Sequence, residues 1–414
     1  MPFDLEFSES LYFFMNFRKR VPLLVGIILS LFGIQSEAQD KRTQLPGFLA
    51  RTSLTLRIGY INYPFNQSQL EPGFSASSID IPHVAVSLAA LCYRFNRNTE
   101  FRLTYMRPVN WVQYKNVNGD NNFHSVFLNW LALTAKSGIH AGHNVLLYGE
   151  AGPALFTRLV TLKGDSTILK GAAYLTVLVG AGVEYRLNNK WSFHTSFLFS
   201  PSNLNAKQPH AVFISGGATF NIHPLQENIV QRNAKSGYIM PYRQLQISYT
   251  SKFAGYGVNR FFAEGAVPVF WSGDVRIRKG FSLQYQQNIY HGRKLFALDL
   301  GSSVSWWQSE VDRKVFFTLS VFPVFRFTLL HTKPLDFYFD YSAAGPSYLS
   351  NVVIDNKNSG GHFTFQDFMG IGIFSGKQRQ FIAGVKIQHY SNGNIFVSNP
   401  GLQIPLTFYA GYSF

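Results

Sequence analysis

The chain has 414 residues, 16% aromatic and only 14% charged, with 37 Lys and Arg against 22 Asp and Glu for a formal charge of +15. A soluble domain usually carries about a quarter charged residues, so the composition excludes a disordered chain, a coiled coil and a highly charged nucleic-acid scaffold. Mean hydropathy is near zero, yet beyond the leader no apolar run approaches the ~18 residues of a membrane helix; the two rows of a transmembrane β-strand, apolar outward and polar inward, average to such a value.

The chain opens with a positive stretch at 16–20, a short apolar core at 21–32, and small residues around a cleavage site after Ala38. The apolar part is too short to span a bilayer, so residues 1–38 read as a cleaved export signal, with Met15 as the expected start. From Thr52 onward, segments of alternating polarity are bounded by Gly, Asn, Pro and Ser. The alternation predicts strands near 52–61, 82–95, 98–108, 122–136, 143–158, 171–186, 190–200 and 210–222. A polar stretch at 223–239, with Pro224, reads as a periplasmic linker. Eight more strands follow near 242–253, 266–287, 294–307, 314–328, 335–349, 362–375, 379–391 and 403–414.

The connections alternate long and short in both halves, as in outer-membrane barrels with long outer loops and short periplasmic turns. Both halves are therefore expected to begin and end in the periplasm. In the last segment, Leu402, Ile404, Leu406, Phe408, Ala410, Tyr412 and Phe414 form an apolar row. A terminal Phe resembles the signal that the barrel assembly machinery reads, which makes that machinery an expected partner through Phe414. The halves also echo one another. Tyr148–Pro153 is echoed by Tyr341–Pro346, Gly180-Ala181-Gly182 by Gly370-Ile371-Gly372, and Ser202-Asn203 by Ser391-Asn392, with offsets of 193, 190 and 189. The expected fold is an all-β transmembrane antiparallel barrel, as two tandem eight-stranded barrels at 45–222 and 240–414, with one sixteen-stranded barrel as the alternative.

The single cysteine, Cys92, excludes an intramolecular disulfide and a Cys-based zinc site. His140 and His143 lack a third ligand nearby, so no metal is expected. The basic residues are scattered, which suits an anionic lipid surface better than nucleic acid. Glu150 lies in a repeat without a matched His and Ser and reads as a structural lumen carboxylate.

Chemistry concentrates at His389-Tyr390-Ser391-Asn392-Gly393, followed by Asn399-Pro400-Gly401. His389 and Ser391 share one face of a strand, ~6.6 Å apart at Cα, so the imidazole is able to serve as base for the hydroxyl. Their row is otherwise apolar and faces lipid, whereas Lys386 and Gln388 face the lumen. Asn392 and the Gly393 N–H are candidate oxyanion donors. In the first half Ser200 stands where the histidine would be, and Ser200 and Ser202 fall on the lumen side, so that barrel reads as non-catalytic.

With Ala344-Gly345-Pro346 and Phe365-Gln366-Asp367, these motifs make the C-terminal half resemble the outer-membrane lipid A 3-O-deacylase family, also described as acyloxyacyl-hydrolase-related. The resemblance implies an eight-stranded barrel that removes an ester-linked acyl chain from lipid A without a cofactor. It implies His389 as base, Ser391 as nucleophile and Asn392 as an oxyanion contact. The family's triad ends in a Glu twelve residues after the serine, where this chain has Gln403. A glutamine orients a histidine ring without stabilising its charge. Simple alternation puts Gln403 on the lumen row unless a bulge near Pro405 turns it, and Asp367 is a substitute carboxylate. The expected function is an outer-membrane serine esterase acting on lipid A, lipopolysaccharide or another acylated lipid. The alternative is a non-enzymatic barrel acting as a channel, binding surface or structural protein.

Overall fold

The computed structural model describes residues 41–96, 98–263 and 273–414. The expected export signal lies outside the described residues. From Thr52 onward, sixteen long strands close into two separate antiparallel barrels of eight. The tandem arrangement therefore stands, and a single sixteen-stranded barrel is excluded.

The first barrel comprises β1 (Thr52–Asn62), β2 (Val84–Arg94), β3 (Thr99–Pro108), β4 (Leu128–Ala141), β5 (Val145–Arg158), β6 (Ala172–Arg186), β7 (Trp191–Ser200) and β8 (Ala211–Asn221). The second comprises β9 (Arg243–Ser251), β10 (Val275–His291), β11 (Phe296–Ser309), β12 (Val315–His331), β13 (Leu335–Leu349), β14 (Phe363–Ser375), β15 (Phe381–Ser391) and β16 (Leu402–Ser413). Consecutive strands pair, and β1 with β8 and β9 with β16 close the two rings. Closure bonds the backbone groups of every wall strand, which is what a strand needs in lipid. The alternation explains the rest. In β1, Leu54, Leu56, Ile58 and Tyr60 stand exposed on the outside, while Ser53, Thr55 and Arg57 are buried inside. The echoed segments occupy equal places: the fifth strands hold Tyr148–Pro153 and Tyr341–Pro346, and the sixth hold the two Gly-X-Gly motifs. Ser391 ends the seventh strand of the second barrel, and Ser202 follows the seventh strand of the first.

Side chains fill both lumens, as expected at eight strands. In the first barrel Glu150 accepts from Arg57 at 2.8 Å, Arg102 at 3.2 Å and Thr134 at 2.8 Å. In the second, Arg326 donates to Asp299 at 2.6 Å, Asp340 at 2.8 Å and Gln286 at 2.8 Å. Apolar clusters occupy the end of each barrel that carries the long loops. Met106, Trp130, Phe156 and Phe213 pack in the first, and Trp307, Tyr390, Leu402 and Ile404 in the second.

Two departures from the sequence reading concern segments between strands. The 223–239 linker contains a helix, α1 (Glu227–Ala234). It is held by Asn233, whose amide donates to the Thr43 carbonyl at 3.4 Å, and by Gln44, whose side chain bonds the Leu225 backbone in both directions. The strand expected from 266 begins at Val275, and 264–272 lie outside the described residues. The barrels also touch at their long-loop ends. Thr157 Oγ1 donates to the Ile395 carbonyl at 2.9 Å. A Cβ on Gly171, just before β6, would sit 3.0 Å from the Val397 side chain, so the 392–401 loop lies close against this point.

Candidate active site

The site is built on β14, β15 and β16, where they approach the long-loop end. On β15 the inward residues are locked first. Gln388 donates to Thr407 Oγ1 at 3.1 Å and accepts from Gln366 at 3.3 Å. Tyr390 accepts from Thr318 Oγ1 at 3.1 Å, and Lys386 donates to Gln284 at 2.7 Å. Strand alternation then turns His389 and Ser391 outward together.

Register supplies the neighbours. Asp367 on β14 stands directly opposite His389, and Phe365 stands opposite Ser391. Asp367 Oδ2 lies 3.7 Å from His389 Nδ1, an ion-pair distance longer than a hydrogen bond. Its other oxygen accepts the Ala344 N–H at 2.6 Å. Ala344 reaches it because β13 bulges between Ser342 and Gly345, with Ala344 at φ +53. The carboxylate is thus fixed from behind.

Gln403 arrives on the other side of His389 through a second irregularity. Pro405 has no N–H to give the ladder. Between Lys386↔Thr407 and Gln388↔Ile404 the register shifts, and Gln403 becomes the partner of His389. This corrects simple alternation: Gln403 turns outward, while Leu402 and Ile404 turn inward into the apolar cluster instead of joining the lipid-facing row. The backbone groups freed by the bulge find partners in the segment after β9. The Leu406 N–H donates to the Gly255 carbonyl at 3.0 Å, and Asn259 Nδ2 donates to the Ile404 carbonyl at 2.9 Å. The Gln403 Nε2 is buried with no hydrogen-bond partner among the described residues.

His389 and Ser391 therefore occupy the outer row, but His389 is only 2% exposed and Ser391 is half-buried. The expectation of an open lipid-facing pair is corrected to a covered one. Asn392 also differs from the simplest expectation. Both hydrogens of its amide are in use, on the Ser359 carbonyl at 2.8 Å and the Ser398 carbonyl at 2.7 Å. Its backbone N–H donates to Asn399 Oδ1 at 3.0 Å. Asn392 thus pins the 392–401 loop. The next residue, Gly393, takes φ +61, and the Phe365 ring lies 3.3 Å from where its Cβ would be. Among the described residues there is no cluster of three His, Cys, Asp or Glu able to hold a metal.

The second barrel matches a known family model: residues 279–413 match the model described as "Lipid A 3-O-deacylase (PagL)". Among solved structures, the outer-membrane enzyme PagL aligns with 42% of this chain and 99% of its own at 15% identity, with a TM-score of 0.31. Neisserial surface protein A aligns with 41% of this chain and 96% of its own at 13% identity, TM-score 0.28. The N-terminal β-barrel domain of Pseudomonas aeruginosa OprF aligns with 41% and 97% at 15% identity, TM-score 0.25. No curated protein matches. Most of the second barrel, residues 279–413, is thus similar to the lipid A 3-O-deacylase (PagL) family.

Proposed function

We propose that the protein is an outer-membrane serine esterase that removes an ester-linked acyl chain from lipid A or a related acylated lipid. The observation that supports this best is the outward row Asp367–His389–Gln403, with Ser391 two residues further along the same strand. In this reading His389 takes the proton from Ser391 Oγ as the oxygen attacks the ester carbonyl. Asp367 stabilises the imidazolium by charge, and Gln403 orients the ring from the opposite side. The tetrahedral oxyanion is met by the Gly393 N–H, and Asn392 serves it by pinning the loop. His389 then returns the proton to the departing hydroxyl of the lipid, and water releases the acyl group from Ser391 by the same route in reverse.

The first barrel is non-catalytic in this proposal. Ser200 faces its interior and accepts from Trp130 Nε1 at 3.2 Å. The linker lies in the periplasm, the long loops face outward, and Phe414 directs assembly. The test is mass spectrometry of lipid A from cells with and without the gene. Loss of one hydroxyacyl chain in its presence is the expected result. Unchanged lipid A alongside abundant folded protein would favour the non-enzymatic barrel.

A further inference from the structure

The outward polar row continues past Gln403. The start of β10 pairs in parallel with the start of β16, Val275 opposite Leu402 and Arg276 opposite Gln403. Residues opposite one another in a ladder point to the same side, so Asp367, His389, Gln403 and Arg276 form one line across four strands. Neighbouring strands are about 4.8 Å apart, which places the Arg276 backbone about 10 Å from that of His389. Arg276 is exposed, its guanidinium lies 5.7 Å from the centroid of the Tyr256 ring, and no carboxylate pairs with it among the described residues.

Beside it lies the segment that satisfies the bulge. Helix α2 (Gly257–Ala263) is anchored by Asn259, whose amide reaches the carbonyls of both Gln388 and Ile404, the inward neighbours of His389 and Gln403. Its outer side carries the exposed Arg260 and an unusual apolar display, with Phe261 75% exposed and Phe253, just upstream, 91% exposed. Glu310 is engaged by Lys252 at 3.6 Å and by the Tyr256 hydroxyl at 3.4 Å. Exposed aromatics next to unpaired guanidinium groups match the boundary between acyl chains and charged headgroups. A guanidinium suits a phosphate in particular, because its fork of N–H donors fits two phosphate oxygens.

Resting on the esterase reading, we propose that Arg276 and Arg260 form a phosphate subsite for the headgroup of the acylated lipid. Phe253 and Phe261 enter the acyl layer beside it, and the bound headgroup presents its ester to Ser391. The subsite selects phosphorylated lipids and contributes to binding, not to the chemical step.

The test uses the full-length protein in detergent, with lipid A and the same lipid A stripped of its phosphates as probes. Binding is measured on Ser391→Ala protein and acyl release on the parent. The expected result is at least tenfold tighter binding of the phosphorylated lipid. Arg276→Gln should abolish most of that preference, Arg276→Lys should keep part of it, and neither should affect the stripped lipid. In turnover, Arg276→Gln should raise KM about tenfold with kcat within twofold. Equal affinity for the two lipids, or an equal loss on both in Arg276→Gln, overturns the subsite. So does inorganic phosphate alone binding as tightly as the lipid, which would make it a free-anion site. Phosphate-selective binding without any acyl release by the parent leaves the subsite standing and sinks the esterase reading. Acyl release without selectivity does the reverse.

Discussion

Replacing Asp367 by Asn isolates the charge of the acid from its structural work. The carboxylate oxygen lies 3.7 Å from His389 Nδ1. At an effective dielectric of about 20, a unit pair at that distance interacts by on the order of 4 kcal/mol. That energy appears only when the imidazole is protonated, which happens in the transition state for attack. At 1.36 kcal/mol per factor of ten, the rate should fall roughly a thousandfold. Asparagine keeps an oxygen for the Ala344 N–H, now bonded at 2.6 Å, so the β13 bulge and the fold should survive. The assay is acyl release from lipid A by purified protein, with the heat-dependent gel shift of a closed barrel as the control for folding. Asp367→Ala should lose as much rate and also stability, because the buried N–H is left unbonded at a cost of about 1–3 kcal/mol. A folded Asp367→Asn protein within threefold of the parental rate would refute the assignment of Asp367 as the acid.

Ser391→Ala and His389→Ala should each lower acyl release by several orders of magnitude, and the double variant should be little worse, since residues acting as one unit are not additive; a folded Ser391→Ala protein at the parental rate ends the esterase reading. Gln403→Glu should restore at least tenfold of the activity lost in Asp367→Asn, because the register sets position 403 directly opposite His389; no recovery in a folded double variant would show that this side of the ring is not used. Asn392→Ala frees two loop carbonyls and should lower kcat about tenfold or more while the barrel still shifts on gels; an unchanged kcat would remove the loop from the mechanism. Arg326→Met leaves Asp299 and Asp340 buried without their partner, a loss of about 3–5 kcal/mol, read as a lower midpoint in urea on the gel-shift assay; an unchanged midpoint would contradict the packed-lumen account.

Most of the barrel architecture was legible because lipid imposes one rule on every strand. An outward row that must be apolar and an inward row that need not be leave a period of two in the sequence. The 335–349 strand could therefore be read to its ends. Features set by long-range bonding were not legible. Helix α1 is a short polar segment whose order depends on Gln44 and Asn233 meeting backbone far away in sequence. The side on which Gln403 stands was open as well. Pro405 signals an irregularity, but the direction in which it resolves depends on Gly255 and Asn259 receiving the displaced backbone groups. Asp367 was recognisable as a spare carboxylate, yet its place beside His389 follows only from the β14–β15 register and the Ala344 bulge. Arg276 gave no signal at all, because its neighbour in the row is 127 residues away.

The location of these residues has a physical logic of its own. An eight-stranded barrel fills its lumen with side chains, so on the esterase reading a lipid would have to meet its reactive groups on the outer wall. There a His and a carboxylate are costly in contact with lipid. Here they stand at the end that carries the long loops, covered so that His389 is nearly inaccessible. The two bulges do opposite tasks at the same height. One turns the Ala344 N–H onto Asp367, and the other swings Gln403 out of the lumen. Because Gln388 and Tyr390 are hydrogen-bonded inward, the outward residues between and beside them have little freedom to drift. Preorganisation of this kind is what the proposed hydrolytic site would need, and the packed polar interior supplies it.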